Sequence, residues 1–200
     1  KYGLDQPIGN QYLYFLNDLS PISFHSTNNA DFTHDDGKYT ALDLFTIGIT
    51  STYLKWPYLR ESFQKTGKKV SYIIGETLPN TMILALAAIS IALVLGLVLG
   101  VISALYKNSW VDQMIQLVST IGMSIPSFFS AIIFAFIFGY VLQEYTGLKM
   151  SGSLYEMDDY GEGMQLQWRN LILPSIVLGI RPLAVISQLM RNSLLEVMGQ

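Results

Sequence analysis

The stretch Thr77–Tyr106 contains no charged residue and is closed by Glu76 on one side and Lys107 on the other. About 20 apolar residues suffice for a helix to cross the hydrocarbon core of a bilayer, so this run is long enough with residues to spare. Two further runs behave the same way. Gln113–Gln143 carries no charge between Asp112 and Glu144, and Leu171–Met190 carries one, Arg181. Only 14% of the chain is charged, against roughly a quarter in soluble domains. The charges crowd into residues 1–76 and 144–169. That segregation predicts an all-α fold, a polytopic bundle of membrane helices in contact with lipid, preceded by a polar segment.

Each run has its own punctuation. In the first, Thr77 is placed to cap the helix and Pro79 to fall in its first turn, where a missing N–H is harmless. Gly96 and Gly100 are four apart, on one face. They either mark a close approach of two helices or stand as incidental glycines facing lipid. The second run is predicted as one span kinked at Pro126, with Ser119, Thr120, Ser124, Ser127 and Ser130 nearby. These hydroxyls either satisfy carbonyls that the proline frees, or line a pore. The third run reads as broken, because Leu171–Ile180 and Leu183–Met190 are each too short to cross and Arg181-Pro182 sits between them; Pro174 adds a second weak point. A guanidinium at mid-depth either faces a watery cavity or a partner, or snorkels to one interface.

Orientation follows from the connectors. Glu144–Asn170 holds five acids against Lys149 and Arg169, whereas Lys107–Asp112 and the tail after Met190 contribute Lys107 and Arg191. Basic short loops favour the cytoplasm, so the acidic connector and residues 1–76 are predicted outside.

Residues 1–76 are polar yet patterned. Asp5 and Pro7 open a helix with Tyr12, Phe15, Leu16 and Leu19 on one face. Ser23–Thr40 reads as a loop, and Ala41–Leu54 fits helix and strand equally. Val70, Ile73, Ile74, Thr77 and Leu78 then suggest an interfacial helix leading to the first span. No chemistry is evident there. Asp31, Thr33, Asp35 and Asp36 resemble a calcium loop superficially, but the glycine comes one place late and no closing Glu follows. His25 and His34 read as a solvated loop pair rather than metal ligands, and Asp158-Asp159-Tyr160-Gly161-Glu162 as a solvated turn. The chain has no cysteine, which removes thiolate sites and thiol nucleophiles together. No P-loop, catalytic Ser/His/Asp set or metal-ligand helix appears in the sequence, so neither cofactor nor catalysis is expected. A net charge of −3 without a basic stripe argues against a nucleic-acid partner.

Three segments resemble the inner-membrane permease family of binding-protein-dependent ABC importers, in particular its oligopeptide and dipeptide branch. Tyr2-Gly3-Leu4-Asp5-Gln6-Pro7 followed by Gln11-Tyr12-Leu13 is similar to the family's "GLDQP…QY" segment. Leu78-Pro79-Asn80-Thr81, Ser109-Trp110-Val111-Asp112 and Gly122-Met123-Ser124-Ile125-Pro126-Ser127-Phe128 resemble "LPNT", "SWxD" and "GxSIPSF", in the family's order. Leu173-Pro174-Ser175 with Arg191-Asn192-Ser193-Leu194-Leu195-Glu196-Val197 resembles "LPS…RxSxLEV", the approach to the loop that meets the ATPase.

The resemblance implies a fragment of a type I ABC importer transmembrane subunit. On this reading residues 1–76 form an extracytoplasmic segment after a missing first span, and residues 77–200 a permease domain of three spans. It implies a multi-pass inner-membrane protein taking up oligopeptides or dipeptides, with nickel chelate or glutathione as alternatives. A second permease subunit, two cytoplasmic ATPase subunits and an extracytoplasmic substrate-binding protein would be its partners, and ATP hydrolysis would occur on the ATPases. Leu194, Leu195, Glu196, Val197, Met198, Gly199 and Gln200 would begin the coupling helix; Arg181, Ser124 and Ser127 would border the substrate path. Pro126, Pro174, Pro182, Gly96 and Gly100 would set kinks and packing. Two departures stand out: the outer segment Ser26–Phe63 is longer than the usual pattern, and the Ala-rich, Lys-Gly-containing continuation is cut off at Gln200. A receptor or scaffold, or an intramembrane enzyme, would be the competing classes; a neighbouring ATPase gene and a complete coupling loop distinguish the transporter from the receptor, and the missing catalytic residues argue against the enzyme.

Overall fold

The computed structural model describes residues 6–26, 40–157, 161 and 163–199. It divides into two compact units, Lys1–Thr77 and Leu78–Gln200, with the boundary inside a helix. Asp5, the Asp31–Asp36 loop, His34, most of the 158–162 turn and Gln200 lie outside the described residues.

In the first unit, α1 (Ile8–Leu19) is followed by β1 (Ile22–Ser26), β2 (Ala41–Ile47) and β3 (Thr50–Lys55). The strands form an antiparallel sheet in the order β1-β3-β2. Strand therefore prevails over helix in Ala41–Leu54, and the expected Ser23–Thr40 loop gives up its first residues to β1. The reason is a tight hairpin: Ile47 pairs with Thr50, leaving Gly48-Ile49 as the turn, and Gly48 sits at φ 62°. A two-residue connection of this kind demands a residue that accepts positive φ first. His25 is correspondingly not solvated. It is buried in β1, its Nε2 is 3.0 Å from Ser23 Oγ, and its ring meets Tyr53 edge-on.

Polar side chains tie α1 to the sheet. Asn17 donates to the Phe24 carbonyl and accepts from the Phe24 N–H, both at 2.8 Å. Buried Lys55 donates through Nζ to the backbone carbonyls of Asp18 and Ser20. Its burial pushes the ammonium below its ordinary range, with Asp18 opposing the shift. Arg60 Nε donates to Asp18 at 2.7 Å and its guanidinium lies over the Phe15 ring.

The helix α2 runs from Val70 to Leu105 without interruption. Pro79 is thus inside the helix rather than in its first turn, and Thr77 is no cap: its hydroxyl donates to the Ile73 carbonyl at 2.9 Å. The residues expected to form a separate interfacial helix are the first turns of α2. One lost N–H is a smaller penalty than exposing a whole turn of backbone in an apolar setting.

After α2 come α3 (Trp110–Ser124), α4 (Ser127–Phe136), a π-helical turn (Ile137–Val141) and the short α5 (Gln143–Thr146). A two-stranded hairpin, β4 (Tyr155–Met157) and β5 (Met164–Leu166), precedes α6 (Arg169–Met198). Two helices, α2 and α6, are long and apolar enough to cross a membrane, or three if the bent pair α3 and α4 forms one span. The architecture is a polytopic membrane helix bundle with two small sheets added. The third run is not broken: α6 passes through Pro174, Arg181 and Pro182 as one helix of 30 residues. Conversely, the second run is not a kinked single helix but two helices meeting at 109°.

Close packing of α2 against α6 organises the second unit. Ala88, Ala92, Gly96, Gly100 and Ala104 repeat every fourth residue and are all buried. On α6, Ser175, Gly179, Ala184 and Ser187 are buried. A Cβ added to Gly179 would lie 3.0 Å from the Ala88 carbonyl; one on Gly96, 3.0 Å from the Leu183 carbonyl; one on Gly100, 2.7 Å from the Ser187 carbonyl. Gly96 and Gly100 therefore sit at a helix contact rather than toward lipid. Higher numbers on α2 meet higher numbers on α6, so the two helices run parallel. If both helices cross the membrane, the chain must return to its starting side between them, and α3 with α4 is the segment available for that crossing.

Candidate functional site

The break between α3 and α4 is built by Pro126. Its ring disfavours helical backbone in the preceding residue, and Ile125 is extended at φ −77°, ψ 132°. Hydroxyls then back-bond along α3: Thr120 donates to the Gln116 carbonyl and Ser124 to the Thr120 carbonyl, both at 2.8 Å. The Ile125 carbonyl accepts instead from α6, through Arg181 Nη2 at 3.3 Å. Arg181 is exposed and directed at the break.

A second arginine holds the other end of α3. Ser109 accepts from the Asp112 N–H as N-cap, which fixes the first turn and aims the Asp112 carboxylate inward. That carboxylate is 3% exposed and saturated with donors. Arg191 of α6 grips it with a bidentate fork, Nε to Oδ1 and Nη2 to Oδ2, each at 2.7 Å. Ser103 of α2 donates to Oδ1 at 2.5 Å and the Asn108 N–H to Oδ2 at 3.0 Å. Gln116 donates to Ser103 Oγ at 3.4 Å and closes the network. One carboxylate thus joins α2, the following turn, α3 and α6. Charge-assisted, bidentate geometry of this kind is among the strong hydrogen bonds available to a protein.

Sequence reading missed this cluster. It treated Asp112 and Arg191 as marks of span ends, although opposite lone charges at the same membrane face were a usable signal. The expected site residues are dispersed by comparison. Ser127 borders a cavity of about 490 Å³, together with Leu84, Phe128, Asn170, Pro174 and Leu178. Ser124 lies at the break with its hydroxyl engaged, and Arg181 bonds the Ile125 carbonyl. Leu194 to Met198 form the last turn of α6, rather than opening a helix of their own, and Gly199 follows as its C-cap. Val197 and Met198 are exposed there.

At the far end of the unit, α5 ends at Gly147 in the left-handed conformation, φ 64°. Asn170 donates to the Ser153 carbonyl at 2.8 Å and to Glu156 at 2.9 Å, and Lys149 pairs with Glu156 at 3.0 Å. The Lys149 bond holds the Glu156 carboxyl below its ordinary range, with Asn170 assisting.

Residues 96–200 match the family model of the binding-protein-dependent transport system inner membrane component. The chain belongs to that family. The matched region starts within α2 at Gly96 and includes the break, both arginine anchors and the end of α6. Among individual proteins, the chain is similar to a provisionally named peptide permease protein of Brucella suis biovar 1 (strain 1330), 32% identical over 142 residues, 71% of this chain and 43% of the relative. It is similar to a dipeptide transport system permease protein of Alkalihalophilus pseudofirmus, 31% identical over 150 residues, 67% of this chain and 44% of the relative. A di/tripeptide transport system permease protein of Pseudomonas aeruginosa is 36% identical over 135 residues, 60% of this chain and 40% of the relative. The chain therefore spans about two fifths of the length of these curated relatives.

Proposed function

We propose that the complete protein is the permease subunit of an ABC importer for peptides. The family match over residues 96–200 carries this reading, and the names of the relatives supply the substrate class. In this reading a second permease completes the translocation path and a substrate-binding protein delivers peptide from outside. Two ATPase subunits bind inside, so that the chain is a transport component and not an enzyme. The exposed last turn of α6 offers the ATPases a surface, and Arg181 faces the path at the break. Expressed with its neighbouring genes in a peptide-uptake-deficient auxotroph, the complete protein is expected to restore growth on di- or oligopeptides. Growth restored only by glutathione or a nickel chelate would reassign the substrate, and no uptake of any of these would favour a receptor. In the same assay Arg181→Ala is expected to lower uptake without lowering the melting temperature; unchanged uptake would remove it from the path.

Orientation belongs to the same proposal. Residues 1–76 and 144–170 lie outside, and Lys107–Asp112 and the end of α6 inside. A Ser153→Cys variant is expected to react with an impermeant maleimide added from outside to intact spheroplasts. Reaction only after the membrane is opened would invert the assignment.

A further inference from the structure

We propose that the Asp112–Arg191 pair is a transmission link, which makes α3 and α6 one rigid body between the ATPase-facing turn and the break at Pro126. The inference rests on the importer reading above and deepens it. Arg191 lies three residues before Leu194, on the same uninterrupted helix as the exposed turn that ends at Met198. From there α6 holds α3 at both ends: Arg191 grips Asp112 in its first turn, and Arg181 bonds the Ile125 carbonyl just past its last. Between these points there is no slack at Gly122, where an added Cβ would lie 2.8 Å from Ile180 Cγ2. α4 departs at 109° through two extended residues, Ile125 and Pro126.

A push on the last turn of α6 therefore meets a stiff pair of helices and then a joint. The planar fork resists both sliding and rotation of α3 along α6, which a single point charge would not do. Packed helices and ion-pair networks carry coupling between distant sites, and here each end of that element is a named contact. Asp112 and Arg191 act as positioning residues: neither needs to touch substrate or nucleotide.

The test uses the intact importer in proteoliposomes, measuring peptide uptake and ATP hydrolysis together. Arg191→Lys keeps the charge beside Asp112 but loses the fork. It is expected to assemble and to hydrolyse ATP, while uptake per ATP falls about tenfold, within the usual range of coupling between sites. Asp112→Cys with Arg191→Cys, in a background otherwise free of reactive thiols, is expected to show the same loss. A short bifunctional thiol reagent bridging the two should restore the ratio. An unchanged ratio in both variants, or a loss confined to the amount of assembled complex, would overturn the proposal. So would a bridged variant that stays uncoupled.

Failure of the functional reading looks different, since the unmodified complex would then import no peptide. In that event the link is read from spin labels on the exposed positions Val197 and Ile132. Their separation is expected to change on ATP binding in the unmodified protein and not in Arg191→Lys, and equal changes in both would refute the link.

Discussion

Gly100→Leu is expected to force α2 and α6 apart and to lower the melting temperature sharply. A Cβ at this position would already stand 2.6 Å from Met190 Cβ and 2.7 Å from the Ser187 carbonyl oxygen. The Met190 Cγ can turn aside, but its Cβ and the Ser187 oxygen are fixed by the backbone and cannot move without displacing α6. Overpacking a tight core costs roughly 1–3 kcal/mol, and a fixed backbone on one side places this case at the upper end. For a protein of this size that corresponds to a fall in melting temperature of roughly 10 °C. Thermal unfolding of the purified protein in detergent measures it. Gly75→Leu is the control, because nothing lies within 4 Å of a Cβ there. Equal melting of the two variants would show that the α2–α6 contact is looser than described.

The second large effect is expected from Asp112→Ala. Removing the carboxylate strands a largely buried guanidinium and takes the acceptor from Ser103 and from the Asn108 N–H. Breaking one side of a buried ion pair costs about 3–5 kcal/mol. The Arg191 side chain keeps 19% of its exposure, so water softens the loss and the low end applies, about 3 kcal/mol. Changing both partners to apolar residues, Asp112→Leu with Arg191→Met, is expected to recover most of that loss, because no buried charge then remains. A double variant that melts lower than Asp112→Ala alone would contradict this account. Stability and coupling are separated by design: the double apolar variant should melt well yet move peptide poorly.

The parts of this fold that were legible in the sequence are those set by one-dimensional chemistry. Charge-free runs locate the membrane helices, since a bilayer excludes charge over a fixed thickness. Pro126 announces a break, because a proline both lacks its N–H and constrains Ile125. The same logic misled at Pro174 and Pro182. There the helix tolerates both prolines, as neighbouring packing and the apolar surroundings favour continued backbone bonding over a break. Helix against strand was undecidable in Ala41–Leu54, where β-branched and apolar residues suit either, and the Gly48 turn and pairing with β1 settled it. The Asp112 cluster was the least legible. Ser103, Asn108 and Asp112 are neighbours across one turn, but Arg191 joins them only once α6 packs against α3, and no local pattern encodes that.

The spacing of the ion pair also bears on how the protein is made. Arg191 follows Asp112 by 79 residues, so it leaves the ribosome well after its partner. At about 5–20 residues per second, the carboxylate stands for several seconds without its cation while α3, α4 and the hairpin are synthesised. During that interval the acid has Ser103 and the Asn108 N–H, both already synthesised, to hold it at the membrane face. A pause in translation before Arg191 would hold the nascent chain with α3 anchored by neutral donors alone.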